Sequence, residues 1–183
     1  MRANNSLDLA VLAPFGIFAV SATALINAYI AQYVFDLEPC ILCLYQRIPY
    51  AVAGVLGGVA MFVPGVRLWA VRLAGLAFLV GAGIAFYHVG VEQHWWASAA
   101  SCGSAGGGDG PATVEELRQL LLNAKPVKAC DEVDWTLFGL SMATYNVGLS
   151  LALGVGSLWA AGRIGGRDEQ AKEQAKEKAP KNH

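Results

Sequence analysis

The sequence predicts an all-α membrane protein: a four-helix transmembrane bundle with a short amphipathic helix in its second outer loop. Three observations carry that prediction. Hydrophobic residues make up 55% of the 183 residues and charged residues only 15%. A soluble domain is about a quarter charged, so this surface lacks polar cover unless lipid replaces it. Four stretches contain no Asp, Glu, Lys or Arg: those between Asp8 and Asp36, Arg47 and Arg67, Arg72 and Glu92, and Asp134 and Arg163. Each approaches or exceeds the ~20 residues that carry a helix across a hydrocarbon core. Basic residues divide unequally between the two sides those stretches define. Nine of the 13 Lys and Arg (Arg2, Arg67, Arg72, Arg163, Arg167, Lys172, Lys176, Lys178 and Lys181) share a side with both termini, and Arg47, Arg118, Lys125 and Lys128 lie opposite. Excess Lys and Arg stay in the cytoplasm, so both termini are expected inside and the two larger loops outside.

The spans follow in order. Inside lipid each backbone amide needs an internal partner, so each span is expected to be a helix. The first covers residues 9–33. Arg2 precedes it and Ala22-Thr23-Ala24 mimics a signal cleavage site, but the apolar stretch runs on to Tyr33, too long for a signal sequence, and it is read as retained. The second covers 44–63 and ends at Pro64-Gly65, a tight-turn pair. Gly54 and Gly58 within it form a G-x-x-x-G spacing suited to close helix packing. The third covers 69–91 and the fourth 135–161. Residues 1–166 form one membrane domain with outer loops at 34–43 and 92–134. The tail at 167–183 is rich in Glu, Ala, Lys and Gln without apolar periodicity, and is expected to be a solvated frayed helix or disordered.

In the second outer loop, 101–110 is small and glycine-rich. Thr113-Val114-Glu115-Glu116 reads as a capping box, after which Leu117, Leu120 and Leu121 fall on one helical face. That amphipathic helix lies on the membrane surface or packs on the ends of the spans. The net charge of −1 says nothing about nucleic acid, but there is no basic stripe with interleaved aromatics, so no nucleic-acid partner is expected; the environment implied is membrane lipid.

The four cysteines, Cys40, Cys43, Cys102 and Cys130, all fall in the outer loops, where thiols meet an oxidising compartment. Four cysteines allow three pairings; spacing favours Cys40–Cys43 and Cys102–Cys130. Cys40-Ile41-Leu42-Cys43 is a C-x-x-C redox unit. Pro39 suits the first helical position, and a helix N-terminus favours a thiolate. Arg47 stands one turn beyond Cys43. There it would lower the Cys43 pKa and could donate to a ligand oxygen; the alternative is an arginine that snorkels to the headgroups. Pro49 removes the bond to the Tyr45 carbonyl, so a kink or a break is expected before the second span proper.

The stretch Glu38-Pro39-Cys40-Ile41-Leu42-Cys43-Leu44-Tyr45-Gln46-Arg47 resembles the signature of the DsbB family, bacterial inner-membrane proteins that reoxidise the periplasmic thioredoxin-like oxidase DsbA and pass electrons to quinone. The four spans, the second pair of cysteines, and Trp135 with Phe138-Gly139-Leu140 extend the resemblance over most of the chain. The resemblance implies that the partner attacks Cys102, that Cys130 leaves and exchanges with Cys40, and that the Cys43 thiolate meets quinone (ubiquinone or menaquinone) with Arg47 orienting its ring oxygen. It also implies periplasmic redox loops.

His88 and Glu92, one turn apart near the outer end of the third span, are candidates to face quinone, His88 foremost. His94, Trp95 and Trp96 read as an interfacial anchor. Asn27 reads as an interhelical hydrogen bond. Competing readings are a structural multi-pass protein with two inert loop disulfides, a vitamin K epoxide type reductase, and zinc on the four thiols. Only one cysteine pair is close, against the two close pairs of a structural zinc site, and no metal is expected.

Overall fold

The computed structural model describes residues 4–96, 113–114, 118, 130, 133 and 136–178. Four long helices, α1 (Asn4–Tyr33), α2 (Ile41–Phe62), α3 (Arg67–Glu92) and α4 (Met142–Lys178), carry the fold, with a single 3-10 turn at Pro64–Val66 between α2 and α3. Three of them include stretches long and apolar enough to cross a membrane: Leu9–Tyr33, Pro64–Glu92 with the turn before α3, and Met142–Gln170. The protein is therefore an integral membrane protein. The second expected span, α2, is 22 residues long but does not reach that apolarity, because Tyr45, Gln46, Arg47, Pro49 and Tyr50 occupy its first half.

Small residues bring the helices together. A Cβ on Gly57 of α2 would lie 2.9 Å from the Phe18 amide nitrogen and 3.0 Å from the Pro14 carbonyl of α1. Gly54 meets Ser21, and Gly58 meets only the Phe18 ring at 3.6 Å, so the tightest approach falls beside the predicted G-x-x-x-G pair rather than on it. Gly75 of α3 and Gly154 of α4 each approach the other's carbonyl, at 3.2 Å from the built Cβ. The core between the helices is Ile17, Tyr50, Ala53, Ala60, Ala70, Val71, Ala74, Phe78 and Ala161. Large residues such as Phe15, Ile26, Val55, Val80 and Val155 are instead exposed. Small residues inside and large apolar ones outside is the pattern of a protein whose outer solvent is lipid.

Three local expectations are corrected. Cys40, with extended backbone (φ −67°, ψ 165°), is the N-cap of α2, so Pro39 lies outside the helix rather than at its first position. Pro49 does not break α2, which is continuous from Ile41 to Phe62; its ring packs against Gly81 of α3, where a Cβ would lie 3.1 Å away. The segment read as the start of the fourth span is a hairpin: β1 (Thr136–Leu137) pairs antiparallel with β2 (Leu140–Ser141). Its turn residues Phe138 and Gly139 have φ of 51° and 78°, the geometry of a type I′ turn, which glycine tolerates. In the tail, of the two alternatives expected, the structure has the helix: α4 continues as far as Lys178.

The outer end of α3 closes in a Schellman motif. His94 takes the left-handed conformation (φ 56°), with Trp95 N–H donating to Gly90 (2.8 Å) and His94 N–H to Val91 (3.1 Å). Trp96 then folds back, stacks on Tyr87 at 5.8 Å and donates to the Tyr87 carbonyl. Its ring covers Gly90, where a Cβ would lie 1.9 Å away. Val114 and Arg118 have helical backbone; the rest of the expected amphipathic helix, and the glycine-rich segment with Cys102, lie outside the described residues.

Candidate redox site

The N-terminus of α2 holds the C-x-x-C pair. Cys40 caps the helix by accepting the Cys43 N–H at 3.2 Å, which turns both sulfurs to the same side, 2.7 Å apart and not bridged. Both cysteines precede the apolar stretch of α2. The Cys40 thiol is pushed up to about 12, first by its hydrogen bond to Cys43 and then by burial. Cys43 is held below its ordinary value, first by that same bond. The pair therefore keeps its proton on Cys40 and its thiolate on Cys43, as coupled neighbours do.

His88 of α3 stands behind Cys40, with Nε2 3.6 Å from Sγ. It is 5% exposed, and its Nε2 lies 3.8 Å from Glu92 Oε1. Glu92 in turn accepts from Ser141 Oγ at 2.5 Å, and Ser141 also takes the Thr144 N–H at the start of α4. On its other side the imidazole is held by a chain of side chains. Gln46 Nε2 donates to His88 Nδ1 at 2.8 Å, Asn146 Nδ2 donates to Gln46 Oε1, and Tyr50 OH donates to Asn146 Oδ1 at 2.7 Å with Ser150 alongside. A Gln amide N–H on Nδ1 leaves the imidazole proton on Nε2, the atom that faces the thiol.

Cys130 completes the cluster. It is fully buried against Cys40, Leu42 and Val91. It lies close enough to Cys43 to raise the energy of a second negative charge there, and its backbone reaches His88.

Arg47 is placed otherwise than predicted. Its guanidinium turns to α1, donating to Gln32 Oε1 at 2.6 Å and the Ala28 carbonyl at 3.4 Å, and lies 5.1 Å over the Tyr29 ring. The depression of Cys43 therefore traces to Cys40 and the backbone rather than to Arg47. Asn27 bonds its own helix, donating to the Thr23 carbonyl at 2.9 Å, not a neighbouring one.

These groups meet at one cavity of about 580 Å³, walled by all four helices and reaching Cys40, Cys43, Gln46, Arg47, His88 and Asn146. Its size is that of a small-molecule site, and Ala, Leu and Met side chains such as Ala28, Leu149 and Met142 form the apolar part of its wall. Sequence reasoning found the cysteines, Arg47 and His88 but missed Gln46, Tyr50, Asn146 and Ser150. Their signal was present: two i, i+4 polar pairs within the segments read as the second and fourth spans, an expensive placement in lipid that marks a site.

Long apolar helices that hold a C-x-x-C pair against a third buried cysteine define a membrane thiol–disulfide protein. Comparison with known proteins agrees. Residues 11–160 match the family DsbB, described as disulfide bond formation protein DsbB, and the chain belongs to that family of disulfide-forming oxidoreductases. It is similar to the disulfide bond formation protein B of Nitrosococcus oceani, 32% identical over 81% of this chain and 89% of that one. It is also similar to that of Dechloromonas aromatica, 34% identical over 63% and 70%. An uncharacterized protein of Rickettsia prowazekii is 27% identical over 75% and 79%. No solved structure matches.

Proposed function

We propose that this chain is a quinone-linked protein dithiol oxidase. It reoxidises a periplasmic thioredoxin-like protein of the DsbA type and passes the electron pair to membrane ubiquinone or menaquinone. In this reading α2 is a fourth span of a bacterial inner-membrane bundle, with both termini cytoplasmic and both redox loops periplasmic. The observation that carries it is the apolar cavity lined by Cys40 and Cys43 together with Gln46, Arg47 and Asn146. A quinone headgroup fits it: the ring is flat and apolar, and Arg47, Gln46 and Asn146 supply donors for its oxygens.

The exchange steps use the chain's own sulfurs. A partner thiolate attacks Cys102, forming a mixed disulfide and releasing Cys130. Cys130, buried against Cys40, attacks it and frees Cys43 as thiolate. The partner's second thiol resolves the mixed disulfide, and Cys102 returns to Cys130, leaving Cys40 and Cys43 as a dithiol. A bound quinone supplies the acceptor for two electrons and two protons. His88 Nε2–H, 3.6 Å from the Cys40 sulfur, donates to that sulfur and stabilises it as it leaves as a thiolate, and the Gln46–Asn146–Tyr50 chain keeps the ring turned toward it. In sum one dithiol and one quinone become one disulfide and one quinol.

The test uses detergent-purified protein, a soluble quinone and a reduced periplasmic thioredoxin-like protein. The expected result is quinone lost one-for-one with new substrate disulfides. Persistent quinone with both loop disulfides intact makes this chain a structural membrane protein with two inert disulfides.

A further inference from the structure

The sulfurs of Cys40 and Cys43 and Nε2 of His88 all lie within 4.8 Å of one another. Ligand atoms around a tetrahedral zinc stand roughly 3.3–3.8 Å apart, given metal–ligand distances of about 2.0–2.3 Å. The three atoms therefore need to shift by only about 1 Å, with the sulfurs opening from 2.7 Å. Glu92 Oε1 lies 3.8 Å from Nε2 but outside that cluster, so the fourth position is left to solvent. All four residues line the cavity, so an ion has a path in.

We propose that the reduced protein binds one thiophilic divalent cation, with Zn²⁺ as its probe, on Cys40 Sγ, Cys43 Sγ and His88 Nε2, and that this ion halts turnover. Two thiolates and a neutral imidazole around a divalent ion make a unit of zero net charge, the form a buried site accepts at least cost. Binding leaves both sulfurs as thiolates, and the protons they give up pass to solvent. His88 must offer its Nε2 lone pair. Concerted rotation of the Gln46 and Asn146 amides presents Gln46 Oε1 to Nδ1 and moves the imidazole proton there. Tyr50 then accepts from Asn146 and donates to Ser150, already 3.0 Å away, while Ser150 gives up its own bond to Asn146 Oδ1. An outer-layer partner that fixes the histidine tautomer is what metal-bound imidazoles require. The disulfide form offers no thiolate, so the site exists only between reduction of the C-x-x-C pair and its reoxidation.

The inhibitory consequence rests on the oxidase reading; the binding does not. The experiment titrates Zn²⁺ into full-length Cys102→Ser/Cys130→Ser protein in detergent against a chromophoric chelator, with neither quinone nor partner present. One ion is expected per chain after reduction with a phosphine and none in the disulfide form. Co²⁺ in its place should give near-ultraviolet thiolate-to-metal absorption that Cys43→Ser weakens. His88→Ala should lose more than about tenfold in affinity, the least that even an outer-layer change costs such sites. In wild-type protein, stoichiometric zinc should stop quinone reduction and a chelator restore it. The proposal is overturned if the reduced protein retains no zinc, if the disulfide form binds equally well, or if His88→Ala binds as tightly as its parent.

Discussion

The two ends of the helix bundle are built by opposite rules. Toward the end that carries Gly57, Ala60, Ala70 and Gly75, helices touch through glycine and alanine, and the polar groups of the core are few. At the end that carries Cys40, the same helices stand apart around a cavity and turn Gln46, Tyr50, His88, Asn146 and Ser150 toward one another. Buried polar groups cost least as members of a satisfied network, and this network terminates on the thiol pair. The difference separates what holds the helices together from what the protein does, and substitutions at the two ends should fail in different ways.

The largest effect is expected at the sulfurs. Serine at Cys40, Cys43, Cys102 or Cys130 should each abolish steady-state quinone reduction while far-ultraviolet circular dichroism stays unchanged; full activity in any one breaks the relay. His88→Ala should follow, with kcat lower by about 10²-fold, the low end of what one preorganised hydrogen-bond donor to a developing negative charge contributes. Gly57→Val, at the packing end, should instead destabilise the fold by about 1–3 kcal/mol through overpacking. That loss would be read as a lower detergent melting temperature, with the surviving protein turning over normally. Arg47→Ala should raise the quinone KM or lower kcat by about tenfold with both disulfides still formed. If neither constant moves, Arg47 serves only to bind α1.

The smallest effect concerns the shared proton. Cys43 is held below the ordinary thiol range by Cys40, so its thiolate survives to lower pH and is lost as pH falls through that depressed value. Cys40→Ala in a Cys102→Ser/Cys130→Ser background removes the bond. The pH profile of Cys43 alkylation should then move to higher pH. An unmoved profile assigns the depression to the helix N-terminus alone.

Much of this was legible in the sequence, for identifiable reasons. Uncharged length locates α1, α3 and α4 because lipid forbids charge along a span. The cysteines and Arg47 announce themselves by residue type and spacing. The hairpin at 136–141 was hidden because Trp135 to Ser141 is as uncharged as a span, and only the positive φ of Phe138 and Gly139 reveals the turn. Arg47 was predicted beside Cys43 from its own helix, but its side chain is claimed by Gln32 and Tyr29 of α1, partners no local spacing reveals. The network to Asn146 joins residues 100 positions apart, a link that requires the tertiary fold.

The central claim is that the C-x-x-C pair hands its electrons to a quinone in the adjoining cavity. The most direct measurement is a single turnover of Cys102→Ser/Cys130→Ser protein, reduced and mixed with one equivalent of quinone, with no partner protein present. The account predicts a Cys40–Cys43 disulfide formed in step with the loss of quinone absorbance, and neither event in Cys43→Ser. A dithiol that stays reduced beside unconsumed quinone would contradict it.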